Sequence, residues 1–256
     1  MIWLLLACTD PGSTDDSASP WTLTWADEFN GSGAIDGEKW THDVGGDGWG
    51  NEQLEFNTDR TDNSRQEDGF LVIEAKKEDF EGNSWTSARI NTSQTFAQQN
   101  GRFEAKVQLP EGVGMWPAFW MLGDNYADVG WPNCGEIDIL EARGQAPFTT
   151  NAALHNPGGS GGNATYDSLT VEENLQEGTH LYAVEWDTDH IAWFLDERLV
   201  MTAHPASING SWAYDHPFFL ILNVAVGGNY VGPPDSSTPT SSKMFVDYVR
   251  VYERTP

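Results

Sequence analysis

Gly135-Glu136-Ile137-Asp138-Ile139-Leu140-Glu141 sets three carboxylates within six residues, separated by aliphatic side chains. Carboxylates placed in pairs do general acid–base and nucleophilic chemistry. The aliphatic alternation reads as a β-strand with one buried face. On a regular strand Glu136, Asp138 and Leu140 share a face and Glu141 points the other way. One extra residue bulging the strand near Ile139-Leu140 would swing Glu141 onto the face of Glu136 and Asp138.

With one residue absorbed in that way, Glu136 and Glu141 are about four strand steps apart, roughly 13 Å between Cα atoms. Two glutamates leaning together on a concave sheet would leave about 5 Å between carboxyls, the gap of a retaining glycosidase rather than an inverting one. Asp138 between them could hold a proton or hydrogen-bond the nucleophile, splitting the two glutamate pKa values. A solvated strand in an acidic protein has the same spacing, so the spacing alone does not decide.

The neighbours do. Gly114-Met115-Trp116-Pro117-Ala118-Phe119-Trp120-Met121-Leu122 and Gly130-Trp131-Pro132 precede the acidic strand. Together with it they resemble the signature of the family 16 glycoside hydrolases, in the bacterial laminarinase-type branch of endo-β-1,3-glucanases. The E-I-D-I-L-E spacing is similar to that branch, whereas lichenases and xyloglucan transferases have a shorter E-I-D-x-E. The resemblance runs from about Trp21 to Tyr252.

That resemblance implies an all-β fold: a curved jelly-roll sandwich of two antiparallel sheets with an open substrate cleft on the concave face. It makes Glu136 the nucleophile and Glu141 the acid/base, assisted by Asp138 and by His155, at the end of the short strand Asn151–His155. Trp116, Trp120 and Trp131 would be sugar platforms. Asn51, after Trp49-Gly50, would lie near the glycone subsites, and Arg89 of Thr86-Ser87-Ala88-Arg89 would reach the sugar near subsite −2. Phe56-Asn57 replaces the family's usual tyrosine pair. Glu28 and Asp247 match two acids that approach each other on the convex side. With the Gly69 carbonyl they would hold a structural calcium ion, and two acids bonded to backbone is the simpler alternative. No cofactor for catalysis is expected. The same fold also serves mixed-linkage β-1,3-1,4-glucan or agarose-like galactan hydrolases and non-catalytic β-glucan-binding lectins. The presence of all three carboxylates argues against a lectin.

Composition narrows the partners. Lys and Arg number 13 against 39 Asp and Glu, a formal charge of −26. So acidic a chain repels nucleic acid and anionic polysaccharides, and suits a neutral β-glucan. Its 12 tryptophans supply both core packing and flat faces for sugars. Two cysteines, Cys8 and Cys134, make neither a disulfide framework nor a zinc set. A monomer is expected.

The elements that must position these residues are short strands punctuated by Gly, Pro and Asn, with no apolar period of helical length. Trp21–Phe29, Phe70–Lys76, Trp85–Ile90, Gly101–Pro110, Tyr182–Trp186, Ile191–Asp196, Phe218–Gly228 and Met244–Tyr252 read as strands. Gly158–Gly162 reads as a flexible loop over the cleft mouth. Residues 21–254 form the single catalytic domain, at a length one core can serve. Residues 9–20, rich in Ser, Asp, Thr and Pro, read as a disordered tether. Residues 1–8 end in Leu5-Leu6-Ala7-Cys8, similar to a bacterial lipobox, so an envelope-bound or secreted protein is expected, touching membrane only through lipid on Cys8. The run is short and lacks a basic start, faults that a start codon assigned too late would explain.

Overall fold

The computed structural model describes residues 19–255; the expected leader and most of the expected tether lie outside the described residues. The chain runs β1 (Trp21–Asp27), β2 (Thr41–His42), β3 (Glu55–Asn57), β4 (Ser64–Glu67), β5 (Phe70–Lys76), β6 (Trp85–Ser87), β7 (Arg89–Asn91), β8 (Gly101–Gln108) and β9 (Met115–Gly123). After a one-turn helix α1 (Tyr126–Val129) come β10 (Glu136–Ala142), β11 (Thr149–His155), β12 (Thr165–Thr170), β13 (His180–Asp187), β14 (His190–Leu195), β15 (Arg198–Ala203), β16 (Phe218–Val226) and β17 (Ser241–Arg254).

Among the described residues these strands make two sheets. One has ten strands, ordered β15-β14-β13-β8-β17-β5-β6-β3, with β1 added on β17 and β4 on β5. The other has seven, ordered β12-β11-β10-β9-β16-β7-β2. Pairing is antiparallel except between β3 and β6. The expected two-sheet jelly roll is what forms.

Strand alternation builds the core. Met115, Phe119 and Met121 of β9 and Phe218, Leu220, Leu222 and Val224 of β16 point between the sheets, against Phe103, Val184, Trp193 and Val246 of the ten-stranded sheet. Each such side chain contributes about 1.5–3 kcal/mol on burial. The opposite faces of β9 and β16 carry smaller clusters of their own. Phe219 and Ile221 pack with Leu122, Cys134 and Trp120, and Ala225 packs with Trp116, Val231 and Tyr230. Apolar contacts therefore pack both faces of these two strands, and all nine residues of β16 are buried.

The strand β10 is irregular where expected. Asp138 stands opposite Ala153 of β11 and Trp120 of β9, and Glu141 opposite Asn151 and Ala118. Three residue steps on β10 thus span two on each neighbour, which is a bulge. Its driving force is legible in the side chains: consecutive Ile139 and Leu140 are both buried in the core. Trp193 of the facing sheet donates its Nε1–H to the Asp138 carbonyl at 2.8 Å and fastens the bulge from below.

Three expectations change. Trp85–Ile90 is not one strand: the chain crosses between sheets at Ala88, so β6 and β7 lie in different layers. Ser87 Oγ donates across to the Val224 carbonyl at 2.6 Å. Six strands were not anticipated: β2, β3, β4, β9, β12 and β15. Of these, β12 and β15 are sheet edges, where partial exposure blurs the apolar alternation. The Gly158–Gly162 loop is tied down rather than loose. Asn156 and Gly159 exchange backbone hydrogen bonds at 3.0 Å, and Asn156 Nδ2 donates to the Ser211 carbonyl at 2.7 Å.

On the ten-stranded sheet, Glu28 is held by both Nε and Nη2 of Arg250 at 2.8 Å, and Asp247 faces Lys106 Nζ at 3.1 Å. Arg250 holds the Glu28 carboxyl below the usual range. The two acids expected to share calcium, with the Gly69 carbonyl, are each neutralised by a cation of the chain. This donor set does not fit an ion without displacing both pairs.

Candidate active site

The seven-stranded sheet presents its site residues in cross-strand rows. Residues directly opposite each other on antiparallel neighbours share a face. One row reads Asn151, Glu141, Ala118, Asn223, Arg89; the next reads Ala153, Asp138, Trp120, Ile221, Asn91. Glu136 stands opposite His155 and Leu122. Between the partners of Glu136 and Glu141 there are four residue steps on β11 (His155 to Asn151) and four on β9 (Leu122 to Ala118). The bulge therefore converts an odd sequence spacing into an even structural one, and both glutamates face the cleft.

Each glutamate has its own indole. Trp131 Nε1 donates to Glu136 Oε2 at 2.9 Å, and Trp116 Nε1 donates to Glu141 Oε1 at 2.9 Å. Asp138 lies between them, 3 % exposed. The Gly161 N–H donates to His155 Nδ1 at 3.2 Å, which leaves the ring proton on Nε2. That nitrogen lies 3.4 Å from Asp138 Oδ2 and 3.6 Å from Glu136 Oε1. The pinned glycine loop thus sets the tautomer of the histidine. Tyr214 Oη donates to the His155 carbonyl at 3.1 Å and steadies the same strand end.

Burial raises all three acids. Glu136 is pushed up to about 8, first by desolvation and then by the Asp138 charge, against the pull of His155 and the Trp131 N–H. Asp138 is raised well above the carboxylate range by burial and then by Glu141. Glu141 is raised by burial, opposed by the Trp116 N–H, His155 and Arg143. Three carboxyls in one dry site cannot all ionise, so the group shares protons. Such a site can offer a nucleophile and an acid together.

Among the described residues, Glu136, Asp138 and His155 are also the one His/Cys/Asp/Glu set whose donor atoms gather, within 4.8 Å of one another. The Trp131 N–H already donates to Glu136 Oε2, and His155 Nε2 stands 3.4 Å from an Asp138 Oδ2 that has no hydrogen-bond partner, which suits a proton-sharing site better than a metal centre.

Arg89 sits between two indoles, 4.9 Å from the Trp49 ring and 4.7 Å from that of Trp120. Its Nε donates to Asp43 Oδ2 at 2.9 Å. Trp120 Nε1 donates to Asn223 Oδ1 at 2.8 Å, so these side chains form one braced wall. Asn51 is exposed on the rim, where its carbonyl accepts the Asn229 N–H at 2.9 Å. A Cβ on Gly228, at φ +91°, would meet that carbonyl at 2.7 Å, so glycine is required there. Of the three expected platforms, Trp131 is 46 % exposed, but Trp116 only 9 %, covered by Tyr230 at a ring distance of 4.9 Å. Trp116 thus serves Glu141 through its N–H more than it offers a face. Phe56 and Asn57 do not reach the cleft as a pair: Phe56 packs edge-on against Phe80, and Asn57 is buried.

Tyr230, Asn223 and Arg143 were not anticipated. Asn223 had a signal, as the single polar residue within Phe218–Val226. Arg143 lies two residues beyond Glu141, and its guanidinium is 4.3 Å from the Tyr230 ring. Tyr230 had none, because it enters from a loop.

Known proteins resemble this chain closely. Residues 50–250 match the family model described as glycosyl hydrolases family 16. The chain is 39% identical to a beta-glucanase of Rhodothermus marinus, over 98% of this chain and 92% of that one. It is 37% identical to a glucan endo-1,3-beta-glucosidase of Cryptopygus antarcticus, over 90% and 91% respectively. The catalytic domain of an endo-1,3-beta-glucanase (laminarinase) from Thermotoga petrophila RKU-1 superposes with a TM-score of 0.87 at 41% identity, covering 92% of this chain and 99% of that one.

Proposed function

The chain belongs to glycosyl hydrolase family 16, and from that membership and its cleft we propose that it is a retaining endo-β-1,3-glucanase acting on laminarin-like glucans. The observation that carries the reading is the pair Glu136 and Glu141, brought to one face with four residue steps between their partners. Glu136 attacks the anomeric carbon while Glu141 protonates the departing glycosidic oxygen. This leaves the sugar esterified to Glu136. Glu141, now a carboxylate, takes a proton from water as the water oxygen attacks the same carbon, and the bond to Glu136 breaks. Two inversions give net retention.

The supporting residues follow from their contacts. Trp131 and His155 stabilise the charge on Glu136 when it leaves as a carboxylate. Asp138 holds a proton that would otherwise be lost from the site. Trp120, Arg89 and Asn51 line the glycone side, and Trp131 offers the exposed face. A chain of charge −26 meets an uncharged polymer by stacking and hydrogen bonding, so its binding depends weakly on salt.

Reducing-sugar release from laminarin, lichenan, agarose and xyloglucan, measured side by side, tests the specificity. Turnover is expected to be highest on laminarin, with lichenan second. Faster release from agarose or xyloglucan would overturn the linkage and leave the two-carboxylate mechanism standing. We also assign the protein to the cell envelope through lipid on Cys8, supported by Leu5-Leu6-Ala7-Cys8 and the polar stretch that follows. Detergent partitioning that survives Cys8→Ser would refute this anchor.

A further inference from the structure

The sheet continues past the catalytic strand on the side away from Arg89. Asp138 faces Ala153 of β11, and Ala153 faces Tyr166 of β12. The parity is fixed by burial, since Ala152 and Leu154 of β11 lie in the core. Tyr166 therefore stands on the cleft face. It is 71 % exposed, the most exposed large apolar side chain among the described residues. It sits within a strand rather than on a loop tip. Among the described residues its hydroxyl makes no hydrogen bond to protein and its ring meets no other aromatic ring.

The ground between is shaped as a trough. Ala153 has almost no side chain, so nothing rises between Asp138 and Tyr166 in that row. The parallel row is polar: Glu141, Asn151, Ser168. In the next row on that face, the Thr149 and Thr170 hydroxyls are 3.2 Å apart. Adjacent strands are about 4.8 Å apart, so Tyr166 lies about 10 Å across the sheet from Asp138. A pyranose is about as long as one strand spacing (~5 Å), which places the ring about two sugars away.

Resting on the glucanase reading, in which Arg89 marks the glycone side, we infer that Tyr166 is the stacking platform for the second sugar on the leaving-group side. Ser168 and Asn151 supply the hydroxyl partners. An aromatic face accepts the apolar face of a pyranose, as it accepts other flat apolar surfaces. Tyr166 is then a specificity-determining residue: it sets how strongly the enzyme prefers substrates that extend beyond the scissile bond.

The test uses the full chain with two substrates. One is a laminarin-type oligosaccharide long enough to cover both sides of the cleft. The other is an aryl β-laminaribioside, whose leaving group reaches only the first position. Both Tyr166→Ala and Tyr166→Phe should keep the parent Tm, since the side chain is exposed. Tyr166→Ala should lower kcat/KM on the long oligosaccharide about tenfold, mainly through KM, the effect of about 1.4 kcal/mol of lost binding. Its kcat/KM on the aryl glycoside should match the parent, and Tyr166→Phe should match it on both. Equal values for Tyr166→Ala and parent on the long substrate would overturn the inference, as would equal losses on both substrates. A parent that cleaves neither substrate overturns the glucanase reading, and the inference with it.

Discussion

The Trp131 indole N–H donates to Glu136 Oε2 at 2.9 Å, from a residue that is itself nearly half exposed. One side chain thus joins the cleft surface to the proposed nucleophile, and its two roles can be separated. Trp131→Phe keeps a ring and removes the donor. Loss of that donor destabilises the ionised form of Glu136, so its pKa rises. The acid limb of the kcat/KM profile should move to higher pH, and kcat should fall by about 10-fold or more with KM little changed. An unmoved acid limb would show that the bond does not act on Glu136.

Glu136→Ala and Glu141→Ala should each lower hydrolysis by at least about 10³-fold with the fold intact. Azide should restore turnover of an activated aryl glucoside in both, with opposite products. Glu136→Ala should give the α-glycosyl azide, formed by one direct displacement. Glu141→Ala should give the β-azide, formed from the covalent intermediate. Products assigned by NMR in the reverse order would exchange the two roles.

The acids proposed to serve catalysis oppose folding. Glu136 is raised from 4.5 to about 8 by burial. Below pH 4.5 both folded and unfolded chains hold its proton, and there is no penalty. Between 4.5 and 8 the unfolded chain ionises and the folded one resists, so the penalty grows with pH and levels off above 8. Glu136→Gln should therefore raise Tm at pH 8 by about 3–6 °C, or about 1–2 kcal/mol for a domain of this size, and by nothing at pH 4. A gain independent of pH would point to packing instead.

Chelation should leave the protein unchanged. Glu28 and Asp247 are already paired with Arg250 and Lys106. Excess EDTA is expected to shift Tm by less than about 1 °C, within the range of ordinary surface effects. A fall restored by calcium would mean that the ion displaces both cations.

The catalytic strand was legible because its chemistry and its phase conflict. Glu136, Asp138 and Glu141 share one face only if the strand bulges near Ile139 and Leu140, and the Trp-rich motifs that precede the strand favour that over a solvated acidic strand. Arg89, Trp120 and His155 were legible through motif order. What stayed hidden depends on contacts between distant segments. Trp193 anchors the bulge from the opposite sheet, and Tyr230 covers Trp116 from a loop; neither has a local pattern. The calcium expectation failed to fit for the same reason. That Glu28 meets Arg250 follows from β1 pairing with β17, a long-range register that single residues do not announce. The edge strand β12 was missed because none of its residues is fully buried, so it carries no apolar alternation.

The bulge has a further consequence for how this strand tolerates insertion and deletion. Because β9 and β11 count four steps between the partners of Glu136 and Glu141, removing Ile139 would yield Glu-Ile-Asp-Leu-Glu. A regular strand of that sequence alternates acid and aliphatic without interruption, and it still spans four steps. Everything on either side keeps its phase. The bulge is a length buffer: it lets the chain carry a spare residue without altering the spacing that the chemistry reads. The Ile139 deletion variant should accordingly keep measurable hydrolysis and lose about 2–5 kcal/mol of stability from one missing core side chain. An adjacent deletion of Ile137, outside the buffer, should abolish both activity and fold.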